Sequence, residues 1–217
     1  KSAVTSNPFS DNRVEIDLKL AGLEEDAPKE KRIARVIAAV RDKLEKVEKR
    51  GAASIRKFSG EDHQLIKSAV LFDFFYRYRK QFDQLIMEQL EEGGPPIKPS
   101  FAREGLQALA GYGLDPAYTF ALCYQLRRAY YFIDRGVVGR SPAMKELRRA
   151  LWNNVFTHDI ELFDQFLWDK MEDFSTLLLG ETGTGKGTAA LAIGRSGFIP
   201  YNEQTNNFAE SFARSFI

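Results

Sequence analysis

Cysteine and histidine are scarce: one Cys, Cys123, and two His, His63 and His158, in 217 residues. A lone thiol excludes an intrachain disulfide framework, and its apolar surroundings read as those of a buried free thiol, which fits a reducing compartment. The two histidines stand far apart, with no cysteine at ligand spacing, which argues against a zinc centre. Long apolar runs are missing too. Nothing approaches the roughly 18 residues that span a bilayer, and the opening Lys1-Ser2-Ala3-Val4-Thr5-Ser6 lacks the apolar core of a signal peptide, so the expected location is cytoplasmic and no membrane partner is expected. Nor is there an excess of charge: Lys and Arg number 31 against 30 Asp and Glu, a net +1, which excludes a global pull toward nucleic acid or membrane. Internal repeats and low-complexity tracts are absent. What remains is an ordinary globular composition, 44% hydrophobic and 28% charged, enough for a packed core in one large or two small domains.

Hydrophobic spacing predicts mostly helix. Val14-Glu15-Ile16-Asp17-Leu18-Lys19-Leu20 alternates and reads as a short strand with one wet face. From Pro28 onward, Ile33, Val36, Ile37, Val40, Leu44 and Val47 recur at helical spacing, predicting an amphipathic helix that ends near Gly51. Ser59-Gly60-Glu61-Asp62 opens a second long helix through Phe74, Tyr78, Phe82 and Leu85, and Gly93-Gly94-Pro95-Pro96 stops it. A third helix is expected over 101–110. A fourth starts at Asp115-Pro116, with Asp115 as N-cap, and runs to about Asp134 with Gly136 as terminator. Residues 1–135 therefore read as a helical domain. Beyond Gly136 come an amphipathic helix through Met144, Leu147, Leu151 and Val155, and another over 160–171 with Thr157 or Asp159 as its N-cap. Phe174-Ser175-Thr176-Leu177-Leu178-Leu179 then reads as a buried parallel strand. The aromatic-basic run 72–82 reads as a core stripe of Leu71, Phe74, Phe75, Tyr78 and Phe82 with Arg77 and Lys80 in solvent, in preference to a stacking surface for single-stranded nucleic acid. Arg127-Arg128-Ala129-Tyr130-Tyr131 reads as interface or surface.

The chemistry concentrates at Gly180-Glu181-Thr182-Gly183-Thr184-Gly185-Lys186, a complete match to G-x-x-x-x-G-K. A triphosphate is densely anionic, so its cradle needs backbone N–H groups that approach without side-chain obstruction, a helix N-terminus aimed at the charge, and a cation for the outer phosphates. Gly180, Gly183 and Gly185 give the steric freedom and Lys186 the cation. Helical residues from Thr188 to Gly194 complete the order strand, glycine loop, helix that such a site requires. Gly187 stands where P-loops generally carry a magnesium-ligating hydroxyl, and Thr188, one position on, is the candidate magnesium ligand. The expected cofactors are ATP and Mg2+.

Two segments together resemble the AAA+ ATPase domain of bacterial sigma-54-dependent transcription activators. Val137-Val138-Gly139-Arg140-Ser141-Pro142-Ala143-Met144 is similar to the Gly-x-Ser-x-x-Met element that opens that domain, and Leu177-Leu178-Leu179-Gly180-Glu181-Thr182-Gly183-Thr184-Gly185-Lys186 to its phosphate loop. The resemblance covers about the last third of the chain. It departs from the pattern at Gly187, where the family usually has Glu, in a longer link between Met144 and the expected strand, and in an insertion over 203–215. It implies a fold class of a mainly α N-terminal helical domain followed by the start of an α/β P-loop (AAA+) domain at 136–217. It also implies that Val138 and Gly139 lie against adenine and that Glu181 and Thr182 help cradle the phosphates. The implied activity is ATP hydrolysis in a homo-oligomeric ring acting on the sigma-54 RNA polymerase holoenzyme, with DNA bound elsewhere. The chain starts without Met and ends on Phe216-Ile217, which reads as the start of a strand, so a piece of a longer protein is expected, holding no catalytic residues of its own. Walker B acids, an arginine finger and the sigma-contacting loop do not occur in it.

Two other functions fit parts of the sequence. Gly185-Lys186-Gly187-Thr188 also looks like the loop of adenylate kinases, although those enzymes carry it at the N-terminus. The helical domain is alternatively a non-catalytic sensor or interaction module, the P-loop segment being incidental.

Overall fold

The computed structural model describes residues 1–24, 26–49, 54–158, 160–171 and 174–214. It is mainly helical: α1 (Ser2–Thr5), α2 (Asp11–Ala21), α3 (Lys29–Lys49), a 3-10 turn (Ile55–Lys57), α4 (Gly60–Glu92), α5 (Ala102–Gly111), α6 (Pro116–Gly136), α7 (Pro142–Phe156), α8 (Ile160–Leu162) continuing into a π-turn (Phe163–Leu167), and α9 (Lys186–Gly194). One two-stranded antiparallel sheet follows, β1 (Tyr201–Asn202) on β2 (Asn207–Phe208), with Tyr201 opposite Phe208. Among the described residues no helix is long and apolar enough to cross a membrane. The expected helix end at Gly51, the cap at Asp159 and the strand start at Phe216-Ile217 lie outside the described residues.

The caps set the helix ends. Asp115 accepts a hydrogen bond from the Tyr118 amide at 3.0 Å, relieving one of the orphan donors at the start of α6. Gly93 ends α4 in the left-handed region at φ 61, where a side chain would be strained. The buried amide of Gln89 then organises the turn of two glycines and two prolines: Nε2 donates to the carbonyls of Gly94 and Pro95, and Oε1 accepts from the Ile97 amide at 2.9 Å.

The expected strand at 14–20 is instead helix α2. Ser10 caps it by accepting from the Arg13 amide, and Gly22 closes it at φ 62, so both helix signals lie just outside the alternating run. In the helix Asp17 becomes buried and pairs with Arg13 at 2.9 Å, one turn away, while Leu20 faces solvent. Among the described residues the strands are the two-residue β1 and β2, too short to pair a seven-residue strand, whereas a helix satisfies its backbone within itself.

The core lies between α4 and α6. Phe74, Tyr78 and Phe82 of α4 are buried, as the stripe predicts, and Arg77 and Lys80 are exposed. Phe120 of α6 meets Phe82 at 5.3 Å and Tyr201 at 5.0 Å, and Tyr124 stacks on Phe208 at 4.3 Å. The hairpin after α9 thus folds back onto the helices, and a single cluster of buried residues draws members from both sides of residue 135, from Leu44 to Phe212. Phe72 turns the other way, into a smaller cluster with Ala3 and Val36.

The run at Arg127 is corrected in one respect. Arg128 and Ala129 are not surface residues but are buried at 1% and 0% exposure. Arg128 shares the apolar face of α6 with Tyr124 one turn before and Phe132 one turn after, both buried, and this face meets α9 and the segment that follows it.

Candidate functional site

The phosphate-loop motif forms a turn that leads directly into α9. Residues 180–185 are all exposed, and Gly185 is the N-cap of α9 at φ 87, a conformation that glycine adopts without the Cβ penalty. At Gly180 the reason for glycine is proximity: a Cβ there would lie 2.9 Å from Thr184 Oγ1. That hydroxyl donates to the Glu181 carbonyl at 2.8 Å, closing the loop on itself.

Lys186 folds back over this loop. Its ammonium donates to the carbonyls of Gly180 at 2.8 Å and Glu181 at 2.6 Å. An ammonium has three donors, so one remains for an outside acceptor. The first amides of α9 have no preceding carbonyl to serve and point out of its N-terminus, where the helix dipole favours an anion. The result is an exposed cationic cradle with free backbone donors, chemistry that suits a phosphate group.

The expected buried strand before the loop is not formed. Residues 174–179 are irregular, and Leu177 and Leu179 are 80% and 84% exposed. A parallel strand needs neighbours for its N–H and C=O groups, and the described residues offer none beside it. Only Leu178 packs partly onto the core, and Thr176 Oγ1 is held by Asn154 Nδ2 at 2.9 Å. The α/β sheet expected for this region is therefore not formed among the described residues, whose strands are the two-residue pair of the hairpin at 201–208.

Val138 and Gly139 lie in the link between α6 and α7. A Cβ on Gly136 would come within 3.2 Å of Thr188 Cγ2, so the start of this link is close to the first turn of α9. Arg148 of α7 fixes the link by donating to the carbonyls of Val137 at 2.6 Å and Gly139 at 3.0 Å. Val138 itself is 80% exposed, an apolar side chain free to meet a flat ring. Thr188 is exposed at the same end of α9, beside Gly187, and no group of three or more metal-ligating side chains occurs among the described residues. A magnesium ion there would take at most the Thr188 hydroxyl from this set, with phosphate oxygens and water completing its shell.

Two groups seat α9: Gln125, which the sequence did not single out, and Arg128, which it gave no such role. Gln125 Nε2 donates to the Ser196 carbonyl at 3.0 Å, and the Arg128 fork donates to the carbonyls of Arg195 at 2.8 Å and Gly197 at 2.7 Å. Their signal was present as polar residues on the face that Tyr124 and Phe132 mark as apolar. Burial lowers the Arg128 pKa to about 10, so it remains cationic near neutrality, lying over the rings of Tyr124 and Phe212 at 4.7 and 5.5 Å. No protein-family model matches the chain, and no curated protein and no solved structure matches it significantly.

Proposed function

We propose that the chain is the ATP-binding and regulatory part of a transcription regulator that resembles the sigma-54-dependent activators. In this reading 136–217 begins an α/β P-loop domain of the AAA+ type, and 1–135 is the helical domain that controls it. The cytoplasmic whole assembles as a ring, hydrolyses ATP with Mg2+, and acts on the sigma-54 RNA polymerase holoenzyme and its DNA through parts outside this sequence. Gly180 to Lys186 hold the phosphates, the amides of Gly187 and Thr188 add donors from α9, Thr188 offers the hydroxyl to magnesium, and Val138 with Gly139 lies against adenine.

The observation that carries this reading is the Lys186 ammonium seated on the Gly180 and Glu181 carbonyls at the head of α9. This seating holds the cation at the N-terminus of α9 with one donor still free, so that a phosphate there would meet both the ammonium and the first amides of the helix. Calorimetry of ATP binding with excess magnesium, on this chain and on Lys186→Ala, tests it. Saturable binding that the variant loses is the expected result, with GTP weaker than ATP; no binding to the parent chain counts against the reading. A Thr188→Val variant is expected to lose the magnesium dependence of the affinity more than the affinity itself.

A further inference from the structure

Away from the phosphate loop, a cavity of about 510 Å³ opens between α3, α4 and α6, with α1 and the turn after α8 also lining it. The volume falls within the roughly 300–1,000 Å³ of small-molecule sites. Much of the lining is apolar, with Ile37, Leu71, Phe75, Leu126 and Trp152 among it. Cys123 also reaches it, and burial pushes the pKa of its thiol far up, so it lines the cavity as a neutral, weakly polar group.

The polar lining is ordered along one stripe of α4. Gln64, Ser68, Leu71, Phe75 and Arg79 follow one another at helical spacing, a length of about 22 Å at about 1.5 Å per residue. The stripe is neutral and polar at its start, apolar in its middle and cationic at its end. Neither Gln64 nor Ser68 has a side-chain hydrogen bond among the described residues, although Ser68 is only 7% exposed.

The lining carboxylates are mostly engaged. Asp17 pairs with Arg13, Glu161 with Lys1 at 3.1 Å, and Asp164 with Lys67 at 2.7 Å while accepting from Tyr118. Two lining cations pair with no carboxylate among the described residues, Lys29 and Arg79. Lys29 donates to Tyr130 Oη at 2.7 Å, and Arg79 lies 5.8 Å from the Tyr76 ring centre. Both belong to the same end: Arg127, which pairs with Asp83 one turn beyond Arg79, lies over the Tyr130 ring that Lys29 reaches. The one unpaired lining acid, Glu30, is exposed in the first turn of α3, where the helix dipole already favours it. Cationic charge is therefore in excess at one end of an apolar channel.

We propose that this cavity is a binding site for a small amphipathic monoanion, an alkyl or aryl carboxylate whose apolar body lies along Leu71 and Phe75 and whose carboxylate meets Lys29 and Arg79. Burial of the body supplies the affinity, and the two cations choose the charge of the head.

Calorimetry with decanoate, 1-decanol and decyltrimethylammonium tests the site on the parent chain, on Lys29→Gln/Arg79→Gln and on Ser68→Leu, with thermal unfolding followed for each. Decanoate is expected to bind at one site per chain and to raise Tm, and the ammonium not to bind. The double variant is expected to weaken decanoate about tenfold, the scale of charge-assisted hydrogen bonds, while leaving 1-decanol unchanged. Ser68→Leu, which fills the cavity, is expected to weaken both. Lys29 and Arg79 are not core residues, so the double variant keeps its fold and its Tm. Absence of saturable decanoate binding to the parent chain overturns the proposal. So does equal affinity for the alcohol or the ammonium, or an affinity that neither variant changes.

Discussion

Arg128 Nη1 donates to the carbonyl oxygen of Arg195 at 2.8 Å, linking the middle of α6 to the turn that ends α9. Nη2 reaches the Gly197 carbonyl, and the guanidinium is fully enclosed between Tyr124 and Phe212. Arg128→Met keeps much of the volume but leaves two carbonyls without donors, each costing about 1–3 kcal/mol when buried. The expected loss of stability is therefore about 2–6 kcal/mol, read from urea unfolding. Arg128→Lys should recover only part of it, because an ammonium lacks the planar fork that serves both carbonyls. A loss within about 0.5 kcal/mol, typical of a surface change, would show that the link carries no load.

How much of this was legible in the sequence depended on whether the signal was local. The long helices were, since each combines an apolar stripe with end signals such as Asp115 and Gly93, and both act as read. The turn at 180–185 and the helix after it were also legible, because the turn rests on its own glycines and on Lys186 at the start of that helix. Helix α2 was not, because seven alternating residues resemble a strand when the cap at Ser10 and the stop at Gly22 are left outside the window. The run at 174–179 failed for the opposite reason: its composition suits a strand, but a strand is a property of its neighbours. Arg128 and Arg148 act through carbonyls 67 and 11 residues away, and no spacing rule reports such partners.

Gly185 tests the loop separately from the fold. Its φ of 87 places it in the left-handed region, where an L side chain costs about 1–2 kcal/mol. Because the loop is exposed and makes little core contact, Gly185→Ala should shift the global unfolding midpoint only slightly while distorting the approach of the first amides of α9. ATP affinity is expected to fall about tenfold, the equivalent of about 1.4 kcal/mol. Unchanged affinity in calorimetry would mean that these amides do not hold the phosphates.

Asp73 joins α3 to α4. It is 4% exposed, and its two oxygens accept from Arg41 Nε and Arg77 Nη2, each at 2.5 Å. Removing one partner of a fully buried pair costs about 3–5 kcal/mol, but here both arginine side chains are 46% exposed and solvent takes up part of the loss. Asp73→Ala is expected to cost about 1–2 kcal/mol in urea unfolding. Arg41→Ala should cost less, since Arg77 still neutralises the carboxylate.

Alkaline pH should loosen the core through its tyrosines. The Tyr78 hydroxyl is pushed up to about 12, first by burial and then by its hydrogen bond to Glu104. Tyr112 rises to about 12 through burial and its bond to Glu48, and Tyr124 to about 12 through burial. Between about pH 10, where unfolded tyrosines ionise, and about pH 12, the folded chain holds protons that the unfolded chain has released. Their stabilisation is complete below that window and is lost as pH rises through it. Arg128 acts with the opposite sign: its pKa falls from 12.5 to about 10 on folding, so the unfolded chain keeps that proton longer and this contribution grows with pH. Tyr118, through burial and its bond to Asp164, and Tyr201, through burial, are raised as well. Five tyrosines therefore oppose one arginine, and the net expectation is a falling urea midpoint between about pH 10 and about pH 12. Tyr78→Phe, which has no hydroxyl to ionise, should make the decline shallower. A midpoint that stays level or rises over this range would place the arginine, not the tyrosines, in control.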